Sequence, residues 1–110
     1  MTVKELIHAL SLKEITVADP DRDVTGAYAG DLLSWVMGRA CEGDAWVTIM
    51  TNINVIAVAS LLDVACVILS EDVTVENDVL ATAKTKGVTL LGTDQPTYKV
   101  CAALSRVLGS

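Results

Sequence analysis

The stretch DAWVTIMTNINVIAVASLLDVACVILS, residues 44–70, holds the pattern that decides the fold. AWVTIM (45–50) is a β-rich apolar run of the kind buried on both faces of a sheet. TNIN (51–54) is a polar turn and helix cap, and VIAVASLL (55–62) is a helix that is apolar all the way round. VACVILS (64–70) returns as a second buried strand. A strand, a helix and a strand with short connections make a βαβ unit, whose strands run parallel through a right-handed crossover. No charge occurs from Ala45 to Leu62, a length that could in principle span a bilayer. Thr48, Thr51, Asn52 and Asn54 interrupt it, so a buried strand, turn and helix are expected in a soluble chain.

The alternation continues toward the C terminus. SEDVTVEND (70–78) is a loop, and DVLATAKTKG (78–87) is an amphipathic helix closing on Gly87, a residue suited to the position after a helix. VTLLG (88–92) reads as a third strand. TDQPTYKVCAALSRVL (93–108) is a final helix, with Asp94 or Thr93 as its cap and Pro96 in its first turn. Toward the N terminus, EGD (42–44) is a turn, and LLSWVMGRA (32–40) is a helix capped by Asp31. VTGAYAG (24–30) is a short strand, ADPDRD (18–23) a turn and EITV (14–17) another short strand. VKELIHAL (3–10) is a first helix, with Thr2 and Glu5 at capping-box spacing. The expected class is therefore α/β: one domain over 1–110, with a mainly parallel sheet and β-α-β-α-β-α order in the C-terminal two-thirds. The two short strands of the first half could lie antiparallel to the rest. The closing Gly109-Ser110 pair is compatible with a cloning remnant.

A chain of 110 residues is long enough to bury a core without metals or disulfides. It is 52% hydrophobic, with a mean hydropathy of +0.49, which is oily for so small a domain. Surplus apolar surface, most of it on helices 31–39 and 55–62, suggests a homodimer, with Leu33, Trp35 and Met37 at its interface. The net charge of −6 and the absence of any Lys/Arg patch argue against nucleic acid as a partner. Cys41, Cys66 and Cys101 are far apart, form no CxxC, and are accompanied by a single histidine, His8. No zinc site is expected, and buried reduced thiols in a cytoplasmic protein are. The start, MTVKELIHAL, has no signal-peptide core.

Chemistry is thinly represented. There is no GxxxxGK[ST], GxGxxG or GxSxG, and no second histidine to build a base–nucleophile pair, so no catalytic residue and no cofactor are expected. Asp21, Asp23 and Asp31 could form a loose magnesium cluster, but turn formation and capping explain them more simply, and no metal is assigned. Arg22 is expected to pair with a neighbouring acid, or else to hold a phosphate. Ligands of parallel α/β sheets bind outside the carboxyl ends of the strands. Those ends carry Thr51-Asn52, Ser70-Glu71-Asp72 and Thr93-Asp94. Thr51, Asn52, Thr93 and Asp94 are the candidate ligand residues, with helix capping as the commoner use of such residues.

Asp21-Arg22, Thr25-Gly26 and Gly30-Asp31-Leu32-Leu33 together resemble the DRTGG domain family, with the motif interrupted by Asp23-Val24. The resemblance extends along GDAWVTIMTN, VACVILSED and LLGTDQPTYKVC, like that of stand-alone bacterial members sometimes labelled serine kinase-like. It implies an α/β module found between CBS domains of regulated pyrophosphatases and in some phosphotransacetylases, and similar to the N-terminal domain of HPr kinase/phosphorylase. There it serves dimerisation and regulation. The kinase label does not carry over, because the P-loop is missing. The expected function is a non-catalytic, homodimeric regulatory module acting on a partner enzyme. The alternative is a sensor of a nucleotide or other anion at the strand ends.

Overall fold

Thr2 starts the first helix as its spacing requires. Its hydroxyl accepts from Glu5 N–H (3.1 Å), and the Glu5 carboxylate accepts from Thr2 N–H (2.9 Å), closing a capping box. The Thr2 N–H, and with it the Thr2 hydroxyl, holds the Glu5 carboxyl below its ordinary pKa. The structure is a computed structural model and describes residues 1–109; Ser110, half of the closing Gly-Ser pair, lies outside the described residues.

The elements run α1 (Val3–Leu10), β1 (Lys13–Thr16), β2 (Gly26–Ala29), α2 (Leu33–Arg39), β3 (Asp44–Thr48), α3 (Ile53–Leu62), β4 (Cys66–Leu69), α4 (Asn77–Lys86), β5 (Leu90–Gly92) and α5 (Thr97–Leu108). The sheet order is β1-β5-β4-β3-β2. Strands β2 to β5 are mutually parallel, so β2 is not antiparallel to the rest; only β1 is, against β5. The expected β-α-β-α-β-α order from Asp44 onward is present.

Each step from β2 to β5 moves one strand the same way along the sheet. Right-handed crossovers of that kind place all their helices on one face. Side-chain alternation then sorts the core into two layers. Trp46, Val67, Leu69 and Leu90 point to the face carrying α2, α3 and α4, where Val36, Ile56, Val58 and Val79 meet them. Ala45, Val47, Cys66, Ile68 and Leu91 point the other way, onto Val3 and Leu6 of α1 and Val100 and Leu104 of α5. Strands β3 and β4 are buried along their whole length, which is why their sequences show no polar alternation.

The all-round apolarity of α3 has a similar cause. It is the middle helix of its layer, flanked by α2 and α4. Val55, Ile56, Val58 and Ala59 are buried, while Ile53 and Leu61 remain exposed. On the opposite face two helices cover less sheet than three, and Ala27 and Ala29 of β2 stay exposed. The three cysteines are free, but only Cys66 is buried; Cys101 is half-buried and Cys41 is exposed. Burial pushes the Cys66 thiol up to about 12 and Cys101 upward, so neither is a ready thiolate. The lone His8 is exposed on α1.

Candidate functional site

The carboxyl edge of the parallel strands is where a ligand would be sought, and the residues there are largely engaged with one another. Asp31 follows β2 but does not cap α2. The N-cap residue is Leu32, with no side-chain bond, and the helix runs only from Leu33. Asp31 instead reaches sideways to β3, accepting from Thr48 Oγ1 (2.7 Å) and Ile49 N–H (3.0 Å). The reason is the parallel pairing of β2 with β3, which sets the two strand ends side by side. A neighbouring-strand hydroxyl and amide are then closer than the helix's own amides.

The cap expected from Thr93 or Asp94 is also absent. The N-cap of α5 is Pro96, which has no side-chain oxygen to offer, and helix residues begin at Thr97. The service comes from Glu71, whose carboxylate accepts from Thr97 N–H at 2.8 Å. Ser70, fully buried, shares a 2.6 Å hydroxyl–hydroxyl bond with Thr97. Glu71 and Asp72 both adopt left-handed backbone conformations, φ 63° and 57°. This pair turns the chain so that its amides donate to the Gln95 and Thr93 carbonyls. The amino end of α5, the natural place for an external anion, is thus partly filled by the protein's own carboxylate.

The four candidate ligand residues fall in two places. Thr93 and Asp94 line an open groove of about 600 Å³ between β1, β5 and the 72–75 segment. Its charged lining is Lys13 against Glu14, Asp72 and Asp94, with Ile15 and Leu80 on its apolar side. Carboxylates outnumber the cation, which disfavours phosphate. Thr51 and Asn52 lie elsewhere, beside a small gap over Val55 and Leu69. Asn52 caps α3, its side chain accepting from Asn54 N–H at 3.0 Å. No cluster of His, Cys, Asp and Glu suited to a metal occurs among the described residues.

The motif residues divide between the two ends of the sheet. Gly30 and Asp31 sit at the carboxyl edge, and Asp21 to Gly26 at the amino edge. Arg22 does not pair with its sequence neighbours. Its guanidinium reaches 41 residues along the chain to Asp63, making bonds of 3.0 and 3.3 Å to the carboxylate and 2.9 Å to the carbonyl. This pairing holds the Asp63 carboxyl below its usual range. Asp63 ends α3 in a left-handed conformation, and its carbonyl also accepts from Gly43 N–H. Thr25 N–H donates to the Gly43 carbonyl. Gly26 lies so close to the Asp44 carboxylate that a Cβ there would stand 2.7 Å from an oxygen. Gly26 thus allows a close approach, while Gly43 in the turn before β3 is left-handed, at φ +82°. Asp21 and Asp23 are exposed; Asp21 takes part in a local turn with Asp19, and Asp23 bridges to Thr2.

On α2, Leu33 packs half-buried against the core. Trp35 and Met37 are exposed, as is Leu32 at the helix start. The Arg39 guanidinium stacks 3.9 Å over the Trp35 ring, one turn later on the same helix face. Sequence reading did not single out Glu71, Asp63 or the Ser70–Thr97 pair as structural partners, because each bond joins residues distant in the chain.

Among the described residues, no helix is long and apolar enough to cross a membrane. A comparison with curated proteins finds no match. The fold is similar to a solved structure of the CBS and DRTGG domains of the regulatory region of Clostridium perfringens pyrophosphatase, complexed with its activator, diadenosine tetraphosphate. The two share 14% identity at a TM-score of 0.73, over 94% of this chain and 45% of that one. The chain thus spans less than half of that neighbour. The DRTGG domain family matches residues 24–107, a stretch that takes in Thr25, Gly26, Gly30 and Asp31 and begins just after Asp21-Arg22. By that match, over most of its length, this chain belongs to the DRTGG domain family.

Proposed function

We propose that this protein is a non-catalytic regulatory module that works as a homodimer in the cytoplasm and acts on a partner enzyme. The observation that carries this reading is the set of large apolar side chains that α2 and its start leave uncovered, Leu32, Trp35 and Met37, at 60%, 53% and 48% exposure. Large side chains held out of the core on one short helix fit a surface that another protein covers. The carboxyl edge, by contrast, offers no nucleophile–base pair. Its polar residues cap, bridge and brace one another.

Trp35→Ala and Met37→Glu should each weaken dimerisation about tenfold or more, as losing a large interface side chain or charging one does. Light scattering of the purified variants reads this directly, and far-UV circular dichroism should stay close to that of the parent. A dimer unchanged in both variants would remove α2 from the interface.

The groove beside Thr93 and Asp94 favours a second reading, a small-ligand sensor. The activator bound by the pyrophosphatase regulatory region makes nucleotides the first class to try. The groove's carboxylates suit a neutral or cationic group better than a phosphate. Thermal melts with a panel of nucleotides are expected to show no stabilisation. A raised melt that Asp94→Ala abolishes would turn the assignment to a sensor at this groove, and one that Thr51→Val abolishes would place the sensor at the start of α3 instead.

A further inference from the structure

The two edges of the sheet are built differently. Edge β1 carries Lys13 and Glu14, is broken by a register shift between Glu14 and Thr16, and has the 72–75 segment lying beside it. Charge, a bulge and a covering loop are the devices that stop a strand from recruiting another. Edge β2 has none of them. Its sequence is Gly-Ala-Tyr-Ala, with no charge, proline or bulge, and its pairing with β3 is regular over all four residues. Gly30 N–H donates inward to the Val47 carbonyl. By alternation, the N–H and C=O groups of Ala27 and Ala29 face the open edge.

Open clefts flank that edge on both faces. Toward α5, one of about 280 Å³ runs between Ala27, Ala29, Cys101 and Leu104. Toward α2, one of about 370 Å³ lies between Tyr28, Asp31, Trp35 and Arg39. Among the described residues, Asp31 is the only acid and Arg39 the only base lining either cleft. In a chain of net charge −6, this edge carries balanced charge.

We infer that β2 is a strand-addition edge whose occupant is a second copy of this chain, paired antiparallel about a two-fold axis through Tyr28. The inference rests on the homodimer proposed above and names the surface that makes it. Ala27 of one copy then lies opposite Ala29 of the other, and the outward amides and carbonyls exchange bonds in both directions. The two Tyr28 rings meet across the axis on the α2 face. Because the pairing is antiparallel, Asp31 at the end of one β2 is carried toward Arg39 beside the other β2, and the reverse. This charge complementarity, satisfied twice by one symmetry operation, is what selects a second copy over a foreign extended peptide. The exposed α2 face becomes the flank of the same interface.

The test is amide hydrogen exchange on the intact protein, with light scattering on the same samples at high and low concentration. The expected result is a dimer in which the Ala27 and Ala29 amides exchange about tenfold or more slowly than in the diluted monomer. Ala29→Pro removes an outward donor and should weaken the dimer about tenfold or more. If that variant misfolds, Arg39→Glu, which opposes two acids, should do the same without touching the strand. A dimer whose Ala27 and Ala29 amides exchange as fast as in the monomer overturns strand pairing while leaving the homodimer standing. A monomer at every concentration overturns both. Protection that appears only with an added extended peptide overturns the second copy as the occupant.

Discussion

Trp46→Ala is expected to destabilise the fold by about 3–5 kcal/mol, enough to leave a domain of ordinary stability marginal. Trp46 is the largest fully buried side chain, at 0% exposure, in the middle of β3. It fills the layer beneath α2 and α3, and its indole N–H donates to the Gly30 carbonyl at 2.9 Å. Truncation opens a cavity between a sheet and a helix that cannot both collapse into it, and strands the Gly30 carbonyl at the end of β2. The midpoint of thermal unfolding, read at one fixed protein concentration, should fall by at least about 10 °C. Trp46→Phe keeps most of the volume and loses the donor, and should cost about 1–3 kcal/mol. An alanine variant no less stable than the phenylalanine one would mean that Trp46 contributes little beyond its hydrogen bond.

The second large effect is expected at Gly43, which ends the turn into β3. Its φ of +82° is open to glycine, and a Cβ there would stand 2.5 Å from Thr25 Oγ1. Gly43→Ala should therefore cost about 2–4 kcal/mol, part of it backbone strain and part steric overlap with the motif threonine. The two parts separate in a double-mutant cycle. Thr25→Ala removes the obstructing hydroxyl, so Gly43→Ala made in that background should cost only about 1–2 kcal/mol, the strain alone. Denaturant unfolding of the four proteins measures the coupling. Strict additivity would show that the threonine yields freely and that the motif is not held by this contact.

The central architecture was legible because β3 and β4 are buried on both faces, and their apolar runs are bounded by TNIN and by Ser-Glu-Asp. Local chemistry sufficed for Thr2–Glu5, for Asn52 and for Gly87, since each cap acts within its own helix end. What could not be read was anything decided across strands. Asp31 has the right spacing to cap α2, yet the parallel register offers it Thr48 and Ile49 instead. Pro96 displaces Asp94 from the cap of α5, and Glu71 supplies the oxygen from another loop. Arg22 is surrounded by acids in sequence but meets Asp63, because the segment between β1 and β2 passes along the amino ends of the strands, where α3 also ends. The same limit applies to the candidate ligand residues. Thr93 and Asp94 share a groove with β1, a neighbour that their own segment gives no hint of.

The placing of β1 bears on how the chain is made. It precedes the other strands of the sheet in sequence and sits at the far edge, with Lys13 against Gly92 of β5. Its helix α1 rests on α5. A nascent chain emerging from the ribosome can assemble β2, β3 and β4 in order. It cannot seat β1 until β5 has appeared. Closure of the domain is thereby deferred until β5 has been made, and such distant pairing forms slowly. Until then α1 can rest on β3 and β4 but lacks α5 at its side, and its remaining apolar surface is left to the nascent-chain machinery.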